Sequence, residues 1–287
     1  MGQGLLDSAS GFASQLGTSL KTLARVALKS RPVRMPEASG TDIVILGNGP
    51  SLAANLAADM PALSKSTTLA VNFFANSPQF FQVRPDYYVL ADPHFFRNTS
   101  ADANVNLLLD NLRKTDWPMT LFVPAGNQGI ESLIDNPSIT VRKFNFLRAD
   151  GFHWLENLLW DCGAGMPRPR NVLIPSLMLA IAMGYRDITV LGADHGWLST
   201  LSVTDDNRVV SVQPHFYKAD TNEEKRVSAV YGTLRLDQVL ESMTIAFRAY
   251  HSIERYARRK GARIYNATPG SMIDAFQRRN FTHDGNI

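Results

Sequence analysis

The stretch DIVILGNGPSLAANLA, residues 42–57, decides the fold of this chain. Its first part, IVIL at 43–46, has no polar alternation, which is typical of a parallel strand covered on both faces. Gly-Asn-Gly-Pro-Ser follows, in which Pro50 has the preset φ of a first helical turn and Ser51 can act as a capping residue. Leucines and alanines then continue at helical spacing. The stretch therefore predicts a strand, a glycine turn and a helix.

The predicted turn is a candidate phosphate site. A strand that turns into a helix leaves unpaired backbone N–H groups and the positive end of the helix dipole at the crevice above the sheet. Gly47 and Gly49, on either side of Asn48, would let an anion approach the backbone closely. The spacing fits neither a dinucleotide-binding fingerprint nor a P-loop, so neither nicotinamide nor Walker-type ATP binding is indicated. The alternative is a tight turn that binds no ligand.

The composition fits one large α/β domain or a domain with a smaller lid. The chain has 287 residues, 45% of them hydrophobic, which is enough for a sizeable core. Lysine and arginine outnumber aspartate and glutamate by 29 to 26, too small an excess to indicate a nucleic-acid partner. With a single cysteine, Cys162, the sequence excludes an intrachain disulfide, and a reducing cytoplasm is the expected compartment. No apolar stretch reaches the roughly 18 residues of a membrane span.

Residues 1–40 are predicted to be an amphipathic, basic segment and linker, followed by a catalytic domain over 41–287. The apolar residues Leu5, Phe12, Leu16, Leu20, Leu23 and Ala27 recur at helical intervals in several places, and the basic residues Lys21, Arg25, Lys29, Arg31 and Arg34 follow. The segment could lie on the inner membrane surface as a peripheral contact. It could instead pack on the domain or on a second subunit of a homo-oligomer. It does not have the pattern of a secretory signal peptide.

Strand patterns alternate with helical patterns along the rest of the chain. Apolar runs such as TTLAVNFF (67–74), PDYYVLADP (85–93) and RDITVLGADHGW (186–197) contain or end in polar residues. This alternation predicts an α/β fold with a doubly wound, mainly parallel, Rossmann-like sheet. Ligands of such sheets bind at the carboxyl ends of the strands, near the switch in strand order. Polar residues fall at five predicted strand ends, namely Gly47-Asn48-Gly49, Asn72, Asp92, Asp194-His195 and Asn266.

A long segment of little regularity, about residues 195–232, is predicted to be a lid or binding loop. It contains His215, Tyr217 and Lys218, which bring an imidazole, a phenol and an amine into the candidate lid. The alternative is an aromatic plug that anchors the loop. Hydrolysis by a Ser-His-Asp triad is not indicated, because the chain has no nucleophile elbow of the G-x-S-x-G kind.

Five blocks of the sequence carry a family resemblance. ILGNGPSL, AVNFF, VLADPHFF, AIAMGYRDITVLGAD and ARIYNATPGS resemble, in order, the bacterial sialyltransferases that use CMP-sialic acid. They resemble equally the related domain of archaeal 6-hydroxymethylpterin diphosphokinases and of many surface-polysaccharide proteins. The resemblance covers about residues 42–276. The chain looks closer to the polysaccharide-linked branch than to the characterised sialyltransferases.

The resemblance implies roles for particular residues. Asn48, Gly49, Ser51 and Asn72 match positions that contact the nucleotide and its phosphate in the sialyltransferases. Asp92 stands where that family often has asparagine, a departure that implies a different donor or a metal. Gly196 and Trp197 stand where that family has tyrosines that assist the departing phosphate, so Tyr217 or Lys218 is expected to take that role. His215 is the nearest match to the general-base histidine, with His195 as the second candidate.

Three functions follow as hypotheses. The first is a glycosyltransferase that moves a sugar, a sialic-acid-like nonulosonate from a CMP donor, onto a surface glycan or glycolipid by direct displacement, with no required cofactor. Its donor would contact Gly47, Asn48, Gly49, Pro50, Ser51, Asn72, Asp92, Asp194, Lys218 and Asn266. The second is a diphosphokinase that uses ATP and Mg²⁺, with Asp92 and Asp194 as metal ligands. The third is a non-catalytic partner that binds a nucleotide sugar.

Overall fold

A computed structural model of the chain describes residues 2–96, 102–127, 129–211, 216 and 233–281, with the backbone alone for residues 2–9. The described chain is built on an eight-stranded sheet in the order β10-β9-β6-β1-β2-β3-β4-β5, in which all neighbouring strands are parallel. The strands are β1 (Asp42–Leu46), β2 (Thr68–Val71), β3 (Tyr87–Val89), β4 (Met119–Pro124), β5 (Ile139–Phe144), β6 (Asp187–Leu191), β9 (Arg263–Asn266) and β10 (Gln277–Arg278); β7 (Ser202–Val203) and β8 (Val209–Val210) form a separate antiparallel pair.

Helices cover both faces of the sheet. They are α1 (Gly2–Lys29), α2 (Leu52–Leu63), α3 (Phe80–Val83), α4 (Ala103–Arg113), α5 (Ile130–Ile134), α6 (His153–Asp161), α7 (Leu173–Met183), α8 (Trp197–Thr200) and α9 (Leu236–Arg259), with short 3₁₀ turns at Asn72–Asn76 and Pro93–Phe96. The hydrophobic cluster under α2, α3, α4 and α5 lies on one face, and the cluster under α6, α7 and α9 lies on the other. The doubly wound, mainly parallel fold predicted from the sequence is confirmed.

The apolar run in β1 is explained by its central position. Ile43 and Ile45 belong to the cluster with α7 and α9, whereas Val44 and Leu46 belong to the cluster with α2. All four side chains are buried. A strand covered on both faces has no polar position to spare, which is why the run shows no alternation.

The order in which strands are added to the sheet reverses at β1. From β1 to β5 the chain adds each new strand on the same side of the previous one, and β6 then returns to the opposite side of β1. The carboxyl ends of β1 and β6 therefore meet at the switch point, where open α/β sheets bind ligands. Gly47 follows β1 directly, and Gly192 follows β6.

The lid segment predicted over about 195–232 is described only in part. Residues 195–211 contain α8 and the β7–β8 pair, which is more regular structure than the sequence predicted. Of residues 212–232 the structure describes Phe216, whose backbone N–H donates a hydrogen bond of 3.2 Å to the Asn48 carbonyl and whose ring lies 5.6 Å from that of Phe74. His215, Tyr217 and Lys218 lie outside the described residues. Among the helices in the described part of the chain, none is long and apolar enough to span a bilayer.

Candidate functional site

A cavity of about 650 Å³ opens at the carboxyl ends of the central strands. Predicted strand-end residues contribute to its wall, including Asn72, Asp92, Asp194 and His195. The cavity also has a second group of lining residues, Phe146, Pro169, Arg170 and Asn171, that comes from the chain between β5 and α7. Its position and size are those of a small-molecule site in a doubly wound sheet.

The glycines of the predicted phosphate turn serve another purpose. The N–H of Gly47 donates to the Leu191 carbonyl, and that of Gly49 donates to the Gly192 carbonyl, each at 2.8 Å. A Cβ on Gly47 would lie 2.5 Å from the Gly192 oxygen, and one on Gly49 would overlap the Asp194 carboxylate. These glycines therefore let the ends of β1 and β6 approach each other. The amides of Gly47 and Gly49 are thus paired with protein carbonyls, which differs from the unpaired N–H groups that the sequence predicted for this turn.

A protein carboxylate occupies the start of α2. Asp194 accepts hydrogen bonds from the Ser51 N–H at 3.2 Å and the Ser51 hydroxyl at 2.8 Å. Ser51, the predicted cap, makes no capping hydrogen bond with its own side chain. Because the negative charge of Asp194 already offsets the helix dipole, a phosphate at this helix start would be repelled. Both carboxylate oxygens of Asp194 accept hydrogen bonds from Ser51. A donor or a metal ion bound by Asp194, as the sequence predicted, would compete with these hydrogen bonds.

Asn72 is held in a strained backbone conformation at the cavity wall. Its φ is +48°, in the left-handed region that asparagine tolerates better than most residues. Tyr88 fixes this conformation, because its hydroxyl donates to the Asn72 carbonyl and accepts from the Ala75 N–H. The Oδ1 atom of Asn72 is buried and has no hydrogen-bond partner in the described part of the chain. Strain maintained by surrounding contacts is a feature of ligand sites, which supports Asn72 as a ligand contact.

Asp92 and His94 border the same cavity from the turn after β3. The Asp92 side chain is exposed and accepts a 2.8 Å hydrogen bond from the backbone N–H of His94. The ring of His94 lies with Nε2 2.7 Å from Oδ2 of Asp102, which also caps α4 by accepting from the N–H groups of Asn104 and Val105. An imidazole that donates from Nε2 to this carboxylate keeps Nδ1 as its basic nitrogen.

Asp102 is an ionised partner for His94. Partial burial raises the pKa of Asp102, but the hydrogen bonds from His94 and from the two helix amides outweigh it, and the pKa is lowered overall. A carboxylate beside an imidazole fixes the orientation and the tautomer of the ring. The sequence analysis missed this pair. The available signal was the histidine immediately after the strand-end Asp-Pro.

His195 is in a different environment, a closed aromatic pocket. Only 7% of its surface is exposed, its φ is +53°, and its ring lies 4.2 Å from that of Trp197. Its Nε2 is 2.5 Å from the Tyr250 hydroxyl and 3.4 Å from Nδ2 of Asn171. Burial lowers the pKa of His195 to about 3 and raises that of Tyr250. His195 is therefore a neutral, fixed ring at neutral pH.

The buried His195 should make the protein sensitive to mild acid. Its pKa is about 3 in the folded state against an ordinary value of 6.5, so between these values the unfolded chain binds more protons and stability rises with pH. The effect is absent well above pH 6.5 and grows by roughly 1.4 kcal/mol per pH unit below it. Urea unfolding of the wild type and of His195→Gln at several pH values between about 7.5 and 5 should give a steeper dependence for the wild type. Parallel curves would contradict a buried, neutral His195.

Arg170 supplies positive charge to the cavity. It lines the wall, and no carboxylate of the described residues lies within ion-pair distance of it or of Arg168. Partial burial, followed by the charges of Arg168 and Arg148, lowers the pKa of Arg170, and Glu241 partly opposes this. A guanidinium with no carboxylate partner at a cavity is suited to a phosphate or carboxylate ligand. Sequence analysis missed Arg170, although the PRPR run at 167–170 placed two arginines just before α7.

Asn266 does not line this cavity. Its Nδ2 donates to the Ser271 hydroxyl at 2.9 Å and its Oδ1 accepts from the Thr268 N–H at 3.0 Å, so the side chain shapes the turn after β9. It borders a second cavity near β10. Among the side chains that the structure describes, no three carboxylates, histidines or cysteines converge as a metal site would require.

Comparisons with known proteins give one informative likeness. No protein-family model and no curated protein matches the chain. Among solved structures, the MAf glycosyltransferase from Magnetospirillum magneticum AMB-1 superposes with a TM-score of 0.50 at 12% identity. The likeness covers 93% of this chain and 38% of that protein, so the present chain spans well under half of its length. At this identity the likeness shows a shared α/β fold, and it does not extend to the sialyltransferase family named by the resemblance.

The structure thus sorts the predicted site residues into three groups. Those on the cavity wall are Gly47, Asn48, Gly49, Pro50, Asn72, Asp92, Asp194 and His195. Ser51 and Asn266 make internal hydrogen bonds near it, and His215, Tyr217 and Lys218 lie outside the described residues. Arg170, Asn171 and His94 join the wall from outside the predicted set.

Proposed function

We propose that this chain is a glycosyltransferase that moves a sugar from a nucleotide donor to a surface glycan or glycolipid. The donor we favour is a sialic-acid-like nonulosonate linked to CMP, as the resemblance of the sequence implies. The observation that carries the proposal is the cavity at the switch point, which combines an arginine that pairs with no carboxylate of the described residues, a strained asparagine and a histidine held by a carboxylate. A volume of about 650 Å³ suits a nucleotide sugar.

The donor phosphate is best placed near Arg170. The start of α2 is disfavoured because Asp194 already provides a negative charge there. A CMP-linked sugar carries a single phosphate, so one guanidinium can balance the charge that develops on CMP as it leaves. Under this proposal no cofactor is required. Asn72 would contact the bound donor from the cavity wall.

The acceptor hydroxyl needs a general base. His195 is poorly suited because burial lowers its pKa to about 3, far below the working pH of a cytoplasmic enzyme. His94 borders the cavity, is partly exposed and is oriented by Asp102, so we propose it as the base. His215, the base predicted from the family resemblance, is the competing assignment; it is next in sequence to Phe216, which contacts the glycine turn. Tyr217 and Lys218 remain proposed partners of the leaving phosphate.

The phosphate assignment predicts a specific loss of affinity. Arg170→Ala should weaken CMP binding by about 10- to 100-fold, because a hydrogen bond to a charged group contributes roughly 1.5–3 kcal/mol. Calorimetric titration with CMP in the presence of EDTA measures this loss. Arg168→Ala is the matched control. Arg168 carries the same charge two residues before Arg170, but its side chain does not line the cavity.

The same titration separates the proposal from its alternatives. Equal CMP affinity in the wild type and Arg170→Ala would exclude Arg170 as the phosphate contact. No affinity for CMP, together with binding of ATP only when Mg²⁺ is added, would favour the diphosphokinase with Asp92 as a metal ligand. Tight CMP binding without turnover would favour a non-catalytic binding partner.

We place the enzyme in the cytoplasm, where nucleotide sugars are made, with a peripheral contact at the inner membrane where lipid-linked acceptors are found.

A further inference from the structure

Helix α1 packs on the domain through its polar side. Ser19 and Thr22 are almost fully buried. The Ser19 hydroxyl accepts from the Phe152 N–H at 3.1 Å, and the Thr22 hydroxyl accepts from the Asp150 N–H at 3.4 Å. Arg25 donates from Nη1 to the Arg148 carbonyl at 2.8 Å. The segment that follows β5 therefore holds α1 by hydrogen bonds, and Val26 adds an apolar contact with the core.

The apolar side of α1 is left exposed. Phe12, Leu16, Leu20 and Leu23 follow one another at intervals of four, four and three residues, so they form a stripe along one side of the helix. Between 43% and 61% of their surface is accessible in the chain. The ring of Phe12 lies 5.4 Å from that of Phe152, which joins one end of the stripe to the domain. A contiguous apolar stripe of this kind marks an interaction surface.

The charge of the same segment identifies the partner. Five basic residues and one acid, Asp7, give residues 1–36 a charge of +4, more than the +3 of the whole chain. Lys21 and Lys29 are exposed on α1. This charge favours a negative partner, whereas two copies of the chain packed through this face would bring two segments of charge +4 together. An apolar stripe beside concentrated positive charge fits the interface of an anionic lipid bilayer.

We propose that α1 docks this protein on an anionic membrane surface. The stripe of Phe12, Leu16, Leu20 and Leu23 enters the boundary between headgroups and acyl chains, and the basic residues contact the headgroups. The docking itself is independent of the enzymatic activity.

The position of α1 relative to the cavity suggests what the docking serves. Arg148, whose carbonyl holds Arg25, belongs to the same connection between β5 and α6 as Phe146, which lines the cavity. The charge of Arg148 also acts on Arg170 in the cavity wall. Docking through α1 would therefore hold the connection that lines the cavity close to the membrane-bound helix, which suits an acceptor attached to a lipid. This second step rests on the proposed function.

Point variants test the docking better than a deletion. Removing residues 1–35 would also remove the hydrogen bonds between Arg31 and the Asn145 side chain, at 2.9 and 2.8 Å, and would destabilise the domain. The full chain with Leu16→Ser, Leu20→Ser and Leu23→Ser keeps these contacts. The matched control carries Leu107→Ser and Leu133→Ser, two leucines of α4 and α5 that are similarly exposed.

Co-sedimentation with vesicles measures the effect. The wild type and the control should bind phosphatidylglycerol vesicles, with binding weakened by salt and by replacement with phosphatidylcholine. The triple variant should lose at least about tenfold in the partition coefficient, since three leucine side chains no longer enter the bilayer. Equal sedimentation of the wild type and triple variant would overturn the proposal. So would a wild-type dimer that binds no vesicles and becomes monomeric in the triple variant.

The outcome is separable from that of the proposed function. Vesicle binding is measured without a nucleotide, and CMP affinity should be the same in the triple variant as in the wild type. Vesicle binding without any CMP affinity would keep the membrane surface and overturn the glycosyltransferase. CMP affinity without vesicle binding would support the nucleotide site and overturn the membrane surface.

Discussion

The Gly49→Val variant should lose about 2–5 kcal/mol of unfolding free energy. A side chain at this position overlaps the Asp194 carboxylate and lies against the Gly192 carbonyl, so the ends of β1 and β6 must separate. Overpacking of this kind costs about 1–3 kcal/mol, and displacement of Asp194 from the start of α2 adds the loss of a helix cap. Urea or thermal unfolding measures the change, which corresponds to a fall in melting temperature of several degrees or more.

Gly126→Val is the control for this substitution. Apart from its chain neighbours, no atom of the described residues lies within 4 Å of the position that a Cβ at Gly126 would take, and its backbone φ is not in the left-handed region. Its stability should stay close to that of the wild type. If Gly49→Val kept its stability and lost only CMP affinity, the turn would be the anion site that the sequence predicted, and the close approach of β1 and β6 would not be the reason for its glycines.

The second large effect concerns the chemical step. His94→Gln should lower the turnover number by about 10²–10⁴-fold with little change in CMP affinity, because general-base catalysis typically contributes in this range. Glutamine can still donate to Asp102 but cannot accept a proton. Asp102→Asn should also lower turnover, since it removes the carboxylate that fixes the orientation and tautomer of the His94 ring.

Two other histidines provide the comparison. His195→Gln should change stability more than the chemical step, because the ring is buried against Trp197 and Tyr250. Full turnover in His94→Gln combined with a loss in His215→Gln would give the role of base to the lid segment. Full turnover in all three variants would mean that no histidine of this region is the base.

The sequence predicted the parts of the fold that depend on local pattern. A few neighbouring residues are enough to recognise the apolar run at 43–46, the glycine turn after it and the polar residues at the strand ends. The convergence of Asn72, Asp92, Asp194 and His195 on one cavity followed from a rule about parallel sheets, without any knowledge of their contacts.

The parts that the sequence could not predict depend on distant partners. Ser51 and Asp194 are 143 residues apart, so their contact appears only once β6 lies beside β1. The position of β6 beside β1 also explains Gly47 and Gly49, which let the ends of the two strands approach each other. From the sequence alone, a glycine turn before a helix indicates an anion site. Arg170 precedes a helix in a segment with no strand pattern. The rule that ligands bind at the carboxyl ends of parallel strands therefore does not identify it.

Helix α1 shows a similar division. The spacing of Phe12, Leu16 and Leu20 predicted an amphipathic helix, and the helix is present. Apolar sides of helices usually face the core, so the pattern alone would place this side against the domain. Here the domain offers hydrogen-bonding groups to Ser19 and Thr22, and the apolar side remains exposed.

The most direct test of the account is the release of CMP from a CMP-linked nonulosonate by the purified wild-type chain in the presence of EDTA. Chromatography of the reaction measures CMP with time, with and without a glycan or glycolipid acceptor. The account predicts that CMP is released without a divalent cation, faster when an acceptor is present, and far more slowly by His94→Gln. Absence of CMP release, with ATP converted to AMP only when Mg²⁺ and a pterin alcohol are supplied, would contradict it.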